Sequence, residues 1–198
     1  MTIDDWWGLI ERARAEVGDR ADDRNPPDDP LPGALTDLLT GLEAAQITDF
    51  YVKAIEVTDT AYRQPLWNAA YLIEGGCGDD GFMDFRDGLI LLGRETFTRA
   101  VADPDSLAGL PVVVRMSRDE GGWIGFESLS RPVTDAYRRV RGETGSLDAA
   151  METAVRGMTR PEEPPGRAGT SRTTTRCGGT SRVSRRSSSA ERAAVTVA

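Results

Sequence analysis

The stretch DDGFMDFRDGLILLGRETFTRAV, residues 79–101, carries the clearest helical signal in the chain. Its core-facing residues recur every three or four positions, as they do on the buried side of an amphipathic helix. These residues are Phe82, Phe85, Leu89, Leu92, Thr96 and Val101. Asp79 or Asp80 can cap the start of the helix, and Asp103-Pro104 can end it. We therefore predict one long helix over this stretch.

Shorter segments on both sides repeat the same spacing. The first predicted helix begins after a Thr2 cap and ends at Gly18. The next two cover Leu35–Leu42 and Ile47–Thr58, and a fourth starts near Pro65. Beyond the long helix, two more cover Ile124–Arg141 and Ser146–Met158. Residues 111–116, PVVVRM, are β-branched and favour a strand or an extended connector. Because no partner strand is visible, we expect a connector. The fold class predicted is all-α, a bundle-like single helical domain with at most one short strand and a disordered C-terminal tail.

The chain divides into four parts by composition. They are an N-terminal helix (1–18), a charged, proline-broken flexible linker (19–33), a helical domain (34–160) and an Arg/Ser-rich tail (161–198). The tail has no apolar periodicity, so we expect it to be disordered.

The tail also reverses the charge of the chain. It holds seven Arg against three Glu, a net +4, which leaves a net −12 on residues 1–160. Back-translated with GC-rich codons, residues 169–183 can be read one frame over as an acidic and then amphipathic segment. Two hypotheses therefore stay open: a native tail, which could bind RNA, or a frameshift product. The gene sequence distinguishes them.

Composition excludes several classes of function. The chain has no histidine, so it cannot build a Ser-His-Asp or Cys-His site or any histidine-containing metal site. The acidic body repels nucleic acid and anionic membranes. There is neither a long apolar run nor a signal-peptide pattern, and Cys77 and Cys177 are expected to stay reduced. We therefore expect a cytoplasmic protein with a basic protein partner, and the oligomeric state stays open.

Three carboxylates are candidates for a metal site. Asp79, Asp80 and Asp84 lie close together, and Asp80, Asp84 and Asp87 share one helix face, where they could hold Mg²⁺ or Ca²⁺. The alternative is that the first two cap the helix and the others are solvated. No other cofactor is expected.

The segment around Gly75–Phe82 is the candidate binding surface. Its candidate binding residues are Trp67, Tyr71, Gly75, Gly76, Cys77, Asp79, Asp80, Phe82 and Arg86. The glycines could cradle an anion, although they also suit a helix C-cap. We expect Cys77 to be a small buried thiol. Three arginines, Arg63, Arg86 and Arg94, could pair with Asp79, Asp80 or Asp84. No catalytic residue is predicted.

Several motifs together resemble a known family. AYRQPLWNAAYLI (61–73), GGCGDDGF (75–82), Phe85-Arg86, Gly93-Arg94 and ADPDSL (102–107) are similar to the bacterial DUF 4240 family. The resemblance covers most of residues 3–142 and implies a helical domain without an assigned activity. It also implies an aromatic residue near Asp84 and a tryptophan near Gly88. Because both are missing here, we expect weaker packing at that helix face.

Two functions remain as hypotheses. The first is a non-enzymatic, acidic helical binding or regulatory module, of which an immunity-protein-like role is one version. The alternative is a metal-dependent enzyme that uses Asp79, Asp80 and Asp84, with Glu74 as a further candidate.

Overall fold

The regular elements of the chain are helical throughout the residues described by the computed structural model, which are 1–22, 28–156 and 164–165. The α-helices are α1 (Ile3–Val17), α2 (Leu31–Thr40), α3 (Ala44–Thr60), α4 (Gln64–Ile73), α5 (Asp79–Leu91), α6 (Arg94–Ala102), α7 (Pro111–Met116), α8 (Ser130–Arg141) and α9 (Gly145–Arg156). Two 3₁₀ helices cover Gly18–Asp22 and Pro104–Gly109. The all-α prediction is confirmed.

The first helix is part of the core. Thr2 and Asp5 form the capping box at its start, and Gly18, with φ +60°, ends it as predicted. Trp6 is fully buried: its indole nitrogen donates a 2.9 Å hydrogen bond to the Phe50 carbonyl, and the two rings stack at 5.3 Å. Burial of a whole tryptophan is a large apolar gain. Helix α1 is thereby fixed against α2, α3 and α5.

The remaining helices surround one apolar core. Helix α2 packs along α8, while α3 contacts α8, α9 and α5, and α4 contacts α5. The largest fully buried side chains come from five of the helices, α1 to α5: Trp6, Phe50, Phe82, Phe85, Ile10, Leu31, Leu35, Leu39, Ile47, Leu66 and Leu89. The period-3.6 pattern of the sequence matches burial in α5 at Phe82, Phe85 and Leu89. In α6 the predicted core residues Thr96 and Val101 are only partly buried, and Phe97 and Ala100 are buried instead.

The predicted long helix over residues 79–101 is wrong, because it breaks between α5 and α6. Gly93 lies at the break with φ +92°. Two residues of α1 bond to the two helix ends that the break exposes. Arg14 donates to the Leu91 carbonyl at 2.7 Å, and Glu11 accepts from the Arg94 N–H at 2.8 Å. These bonds satisfy backbone groups that an interrupted helix leaves open.

Residues 111–116 are not the predicted connector but the short helix α7. Pro111 lies in its first turn, where proline costs nothing, and Val112 is buried. Each β-branched valine destabilises a helix by only about a few tenths of a kcal/mol relative to alanine. Packing against the Pro104–Gly109 helix outweighs that cost.

The loop 117–129 replaces the first part of another predicted helix, since α8 begins only at Ser130. Its backbone crosses α5 at Gly88. The Phe126 N–H donates a 2.9 Å hydrogen bond to the Asp84 carbonyl, and a Cβ on Gly88 would lie 1.8 Å from the Ile124 carbonyl oxygen. The expected weaker packing at Gly88 is therefore wrong, because the missing side chain makes room for a buried backbone crossing.

Some predictions fall partly or wholly outside the described residues. Of the predicted linker, residues 23–27 lie outside, while the residues around them include a 3₁₀ helix and the first three residues of α2. Apart from Pro164 and Pro165, the predicted tail 161–198 also lies outside, and so does Cys177. Within the described ranges, no helix has the length and apolar character needed to cross a membrane.

The crossing at Gly88 predicts a large effect of a single methyl group. We expect Gly88→Ala to lower the free energy of unfolding by about 3 kcal/mol or more, because the new Cβ cannot avoid the Ile124 backbone. Urea unfolding followed by circular dichroism measures this change.

Gly81→Ala is the matched control in the same helix. A Cβ on Gly81 would lie 3.6 Å from the Cys77 sulfur, an ordinary contact. Because alanine is the better helix former, this variant should be neutral or more stable by up to about 1 kcal/mol. If the two substitutions changed the free energy of unfolding equally, the close approach of the loop 117–129 to Gly88 would be contradicted.

Candidate functional site

The glycine turn between α4 and α5 closes the end of α4. Gly75 has φ +71°, and the Gly76 N–H donates a 3.0 Å hydrogen bond to the Tyr71 carbonyl, which is the bond of a Schellman cap. The C-cap interpretation of these glycines is confirmed. Helix α5 then starts after Gly78, so Asp79 and Asp80 lie exposed in its first turn instead of capping it.

Aromatic packing holds the turn in place. The Trp67 and Phe82 rings stack with centroids 4.9 Å apart and planes 10° from parallel. The Trp67 indole nitrogen also donates a 2.9 Å hydrogen bond to the Cys77 carbonyl. A half-buried tryptophan thus ties the middle of the turn to both flanking helices.

Arg86 contacts the Phe82 ring of this pair and is only 9% exposed. Its guanidinium donates to the Phe82 and Thr58 carbonyls at 3.2 and 3.3 Å and lies 5.0 Å from the ring centroids of Tyr62 and Phe82. Such cation–π contacts strengthen when water is excluded. Arg86 therefore joins α5 to α3.

The pairing predicted for Arg94 with the aspartates of the turn is not what the structure has. Its guanidinium lies 2.7 Å from Asp4 of α1. Both side chains are largely exposed, so this ion pair contributes little to stability.

Cys77 lacks the surroundings of a reactive thiol. It is half-buried, and its pKa is raised, first by burial and then by the negative charges of Glu74 and Asp84. A raised pKa lowers the thiolate fraction at neutral pH. The side chain is thus suited to packing in the turn.

Two adjacent apolar side chains at the end of α4 point into solvent. Tyr71 is 59% exposed and Leu72 is 80% exposed. With Asp79 and Asp80, also exposed, they form what we call the turn surface. Sequence reasoning found three of these four residues but missed Leu72, which lies outside the apolar stripe of this helix and belongs to no motif that marks a binding surface.

The carboxylates proposed for a metal site differ in burial. Asp79 and Asp80 are exposed, whereas Asp84 is half-buried, and its pKa is raised by burial, then by Glu127 and Asp80. No group of three or more Asp, Glu or Cys side chains in the described part of the chain is arranged to hold a metal ion. The site for Mg²⁺ or Ca²⁺ stays a prediction.

Glu74 meets the loop 117–129, a contact that the sequence did not reveal. Its pKa is raised by burial, while the N–H groups of Ile124 and Gly125 and the Trp123 indole favour the charged form. Its Oε1 atom is shielded from water and has no hydrogen-bond partner among the described residues. No local pattern signals that residues 123–125 return to the end of α4.

Asp87 has the largest pKa shift given for a carboxylate of the described residues. Burial raises its pKa to about 6, against hydrogen bonds from the Leu129 N–H and the Thr58 hydroxyl, both 3.2 Å, and against the charge of Arg86. From the sequence, Asp87 shares a helix face with Asp80 and Asp84, which either holds a metal ion or is solvated. The structure instead places it against α3 and the start of α8, because α5 is covered on that side.

The fold and site together define an all-α protein in which exposed apolar side chains and first-turn carboxylates lie beside a glycine turn. The family model described as "Protein of unknown function (DUF4240)" matches residues 1–139, and the chain belongs to this family. The resemblance inferred from the motifs is thus confirmed. No curated protein and no solved structure matches the chain.

The raised pKa of Asp87 predicts a specific dependence of stability on pH. The folded state binds this proton more tightly than the unfolded chain, whose aspartate pKa is about 4. The stabilisation is complete below about pH 4 and is lost as the pH rises through about 6, by roughly 3 kcal/mol. Urea unfolding of the native chain and of Asp87→Asn between pH 4 and 7 isolates this contribution as their difference.

Thr58→Val provides the second comparison. It removes a hydrogen bond that favours the charged form of Asp87, so the pKa of Asp87 should rise further. The pH range in which the stabilisation is lost should therefore move to higher pH. A difference between the native chain and Asp87→Asn that stays constant from pH 4 to 7 would exclude a raised pKa at this residue.

Proposed function

We propose that this protein is a non-enzymatic binding module that presents the turn surface to a basic protein partner. The observation that carries the proposal is the exposure of Tyr71 and Leu72 at the end of α4, with two exposed carboxylates at the start of α5 on the other side of the glycine turn. Adjacent large apolar side chains that face water cost free energy in the isolated protein, and a partner that covers them recovers it.

Energetics support a role for each half of the turn surface. Burying a side chain of the size of Leu72 contributes about 1.5–3 kcal/mol, and tyrosine is among the residue types enriched at interface hot spots. Asp79 and Asp80 at the rim would add orientation and a faster encounter more than raw affinity. The net charge of −12 on residues 1–160 extends this attraction over the surface.

The support beneath the turn also favours binding. The stacked Trp67 and Phe82 and the Schellman bond of Gly76 fix the loop that separates Leu72 from Asp79. A loop that is ordered before binding loses less conformational entropy in the complex. The turn surface can therefore bind without rearrangement.

The narrower form of the proposal is an immunity-protein-like role in the cytoplasm of a bacterium. In that role the acidic surface would cover a basic protein and block its action. The metal-dependent enzyme is the other function predicted from the sequence, and no specific contact among the described residues favours it over the binding module.

The turn surface predicts which residues carry partner binding. We expect Tyr71→Ser/Leu72→Ser to weaken capture of a basic protein by about tenfold or more, because the apolar contact is lost. The immobilised intact chain is exposed to a native lysate, and bound proteins are identified and their affinity is measured. Asp79→Asn/Asp80→Asn should mainly reduce the association rate and its dependence on salt.

Val140→Ser is the matched control, since Val140 of α8 is an apolar residue with 39% exposure. It should bind the same partner as the native chain does. All variants are at exposed positions and should change the free energy of unfolding by less than about 0.5 kcal/mol. Capture that is insensitive to Tyr71 and Leu72 would refute the proposal. A rise in melting temperature with Mg²⁺ that is lost in Asp80→Asn would favour the metal enzyme instead.

A further inference from the structure

The last helix, α9, lies outside the part of the chain that the family model matches. The match ends at residue 139, before α9 begins. Gly142 ends α8 with φ +76°, and its N–H donates a 2.8 Å hydrogen bond to the Arg138 carbonyl. Only Glu143 and Thr144 separate this left-handed residue from α9. A short turn therefore joins α9 to the family domain.

One face of α9 is apolar. Leu147 is fully buried in the core, and Met151 packs against the core from a partly buried position. Ala150, Ala154 and Val155 are also partly buried and share this face with Leu147, since they follow it at i+3, i+7 and i+8. The residues of the opposite face are exposed: Asp148, Ala149, Glu152, Thr153 and Arg156. A single buried leucine is thus the main apolar anchor of a twelve-residue helix.

The contact of α9 with the domain is incompletely packed. The helix packs mainly against α3, and a cavity of about 300 Å³ lies beside this contact. Val155 of α9 lines one side of the cavity. The other side, which we call the α3–α5 groove, includes Ala54 and Ile55 of α3 and Met83 of α5. Well-packed interiors contain few voids larger than a water molecule, so dispersion contacts are lost at this interface.

Polar contacts stabilise the turn and α9 itself. The Ser146 N–H donates a 3.0 Å hydrogen bond to Glu143, and the Ser146 hydroxyl lies 2.8 Å from the Tyr137 hydroxyl of α8. At the other end of the helix, Arg156 pairs with Glu152, four residues earlier, at 2.8 Å. None of these three contacts reaches α3. The apolar face therefore carries the docking of α9 on α3.

The burial of the two helices predicts that α9 opens before α3 does. Helices shorter than about 12–15 residues are marginal in water when they are isolated, so α9 depends on its docking to stay helical. Regions with few buried apolar contacts open at a lower free energy than the core. In contrast to α9, helix α3 contributes several core residues, which include Ile47, Phe50 and Ala54.

We propose that the α3–α5 groove is a binding site for an amphipathic helix, which α9 occupies in cis as a detachable cover. A partner protein binds there by supplying a helix with the same spacing of apolar residues and displacing α9. Met83, 50% exposed, suits such a groove because its flexible side chain adapts to different helices.

The inference does not rest on the proposed function. None of the four residues of the turn surface lines the cavity, so the two surfaces are separate. They also differ in what they recognise: the turn surface combines apolar and acidic side chains, whereas the groove is matched to the apolar face of a helix. A failure of either proposal leaves the other standing.

The first test removes the anchor of α9 in the intact chain. Leu147→Glu places a charge at a core position, so α9 should leave α3 and unfold. In two-dimensional NMR, the α9 amides should move to random-coil shifts. The Trp6 indole N–H, which donates to the Phe50 carbonyl, should keep its shift because the core stays folded. If the α9 amides keep their native shifts, the detachable cover is excluded.

Ala149→Glu is the matched control, since it adds the same charge to the exposed face of the same helix. Its spectrum should show α9 docked as in the native chain. An undocked α9 in this variant as well would mean that Leu147 is not the anchor, which overturns the proposal.

A fluorescent peptide of residues 143–156 then probes the vacated groove. Its anisotropy should show saturable binding to the Leu147→Glu chain. Binding to the native chain and to Ala149→Glu should be at least about tenfold weaker, because their own tethered α9 competes at high effective concentration. A peptide that itself carries Leu147→Glu should not bind. Equal binding to the native and Leu147→Glu chains, or binding to neither, would refute the groove.

Two measurements on the native chain complete the test and decide it if Leu147→Glu does not fold. The α9 amides should exchange with solvent deuterium at least about tenfold faster than those of Phe50 and Ala54 in α3. Equal protection would overturn the cover. In size-exclusion chromatography the native chain should elute as a monomer. A dimer that dissociates in Leu147→Glu would overturn the cis assignment and give the groove to the α9 of a second copy.

Discussion

The close approach of the Ile124 backbone to Gly88 is the contact on which the surroundings of Glu74 and Asp87 depend. It lets residues 117–129 lie flat across α5, where the Phe126 N–H bonds to the Asp84 carbonyl. On one side of this crossing, residues 123–125 reach Glu74 at the end of α4. On the other side, the Leu129 N–H reaches Asp87. A single missing side chain thus sets the surroundings of two carboxylates.

The acidic residues of this protein serve two different physical purposes. Asp79 and Asp80 are exposed to water, so they stay hydrated and their charge acts at long range. Glu74, Asp84 and Asp87 are partly or largely shielded, and burial raises the pKa of each. Net charge alone does not distinguish these groups. The two groups differ in exposure because the loop 117–129 covers one face of α5 and leaves the first turn of that helix open to water.

Local pattern was sufficient for most helices but not for the places where distant segments decide the conformation. The Thr2 cap, the Pro65 start and the Gly75 C-cap are local signals, and each is found as predicted. Phe126 has helical spacing with Leu129, yet its N–H bonds to Asp84, more than forty residues earlier in the chain. For the same reason, Trp67 and Phe82 could be chosen from the sequence, whereas the contact between Glu74 and Trp123 could not.

The break at Gly93 has a consequence for synthesis of the chain. Its two open helix ends bond to Glu11 and Arg14, partners 83 and 77 residues away in sequence. Helix α1 leaves the ribosome before α5 and α6, and these bonds cannot form until both have followed it. Contacts of such long sequence separation slow folding, since the entropy of closing the loop is lost before the contact is gained. The nascent α1 therefore leaves Trp7, whose ring lies 5.5 Å from that of Phe97 in α6, exposed for longer than a locally packed helix would, and during that interval it is open to chaperones or to a second nascent chain.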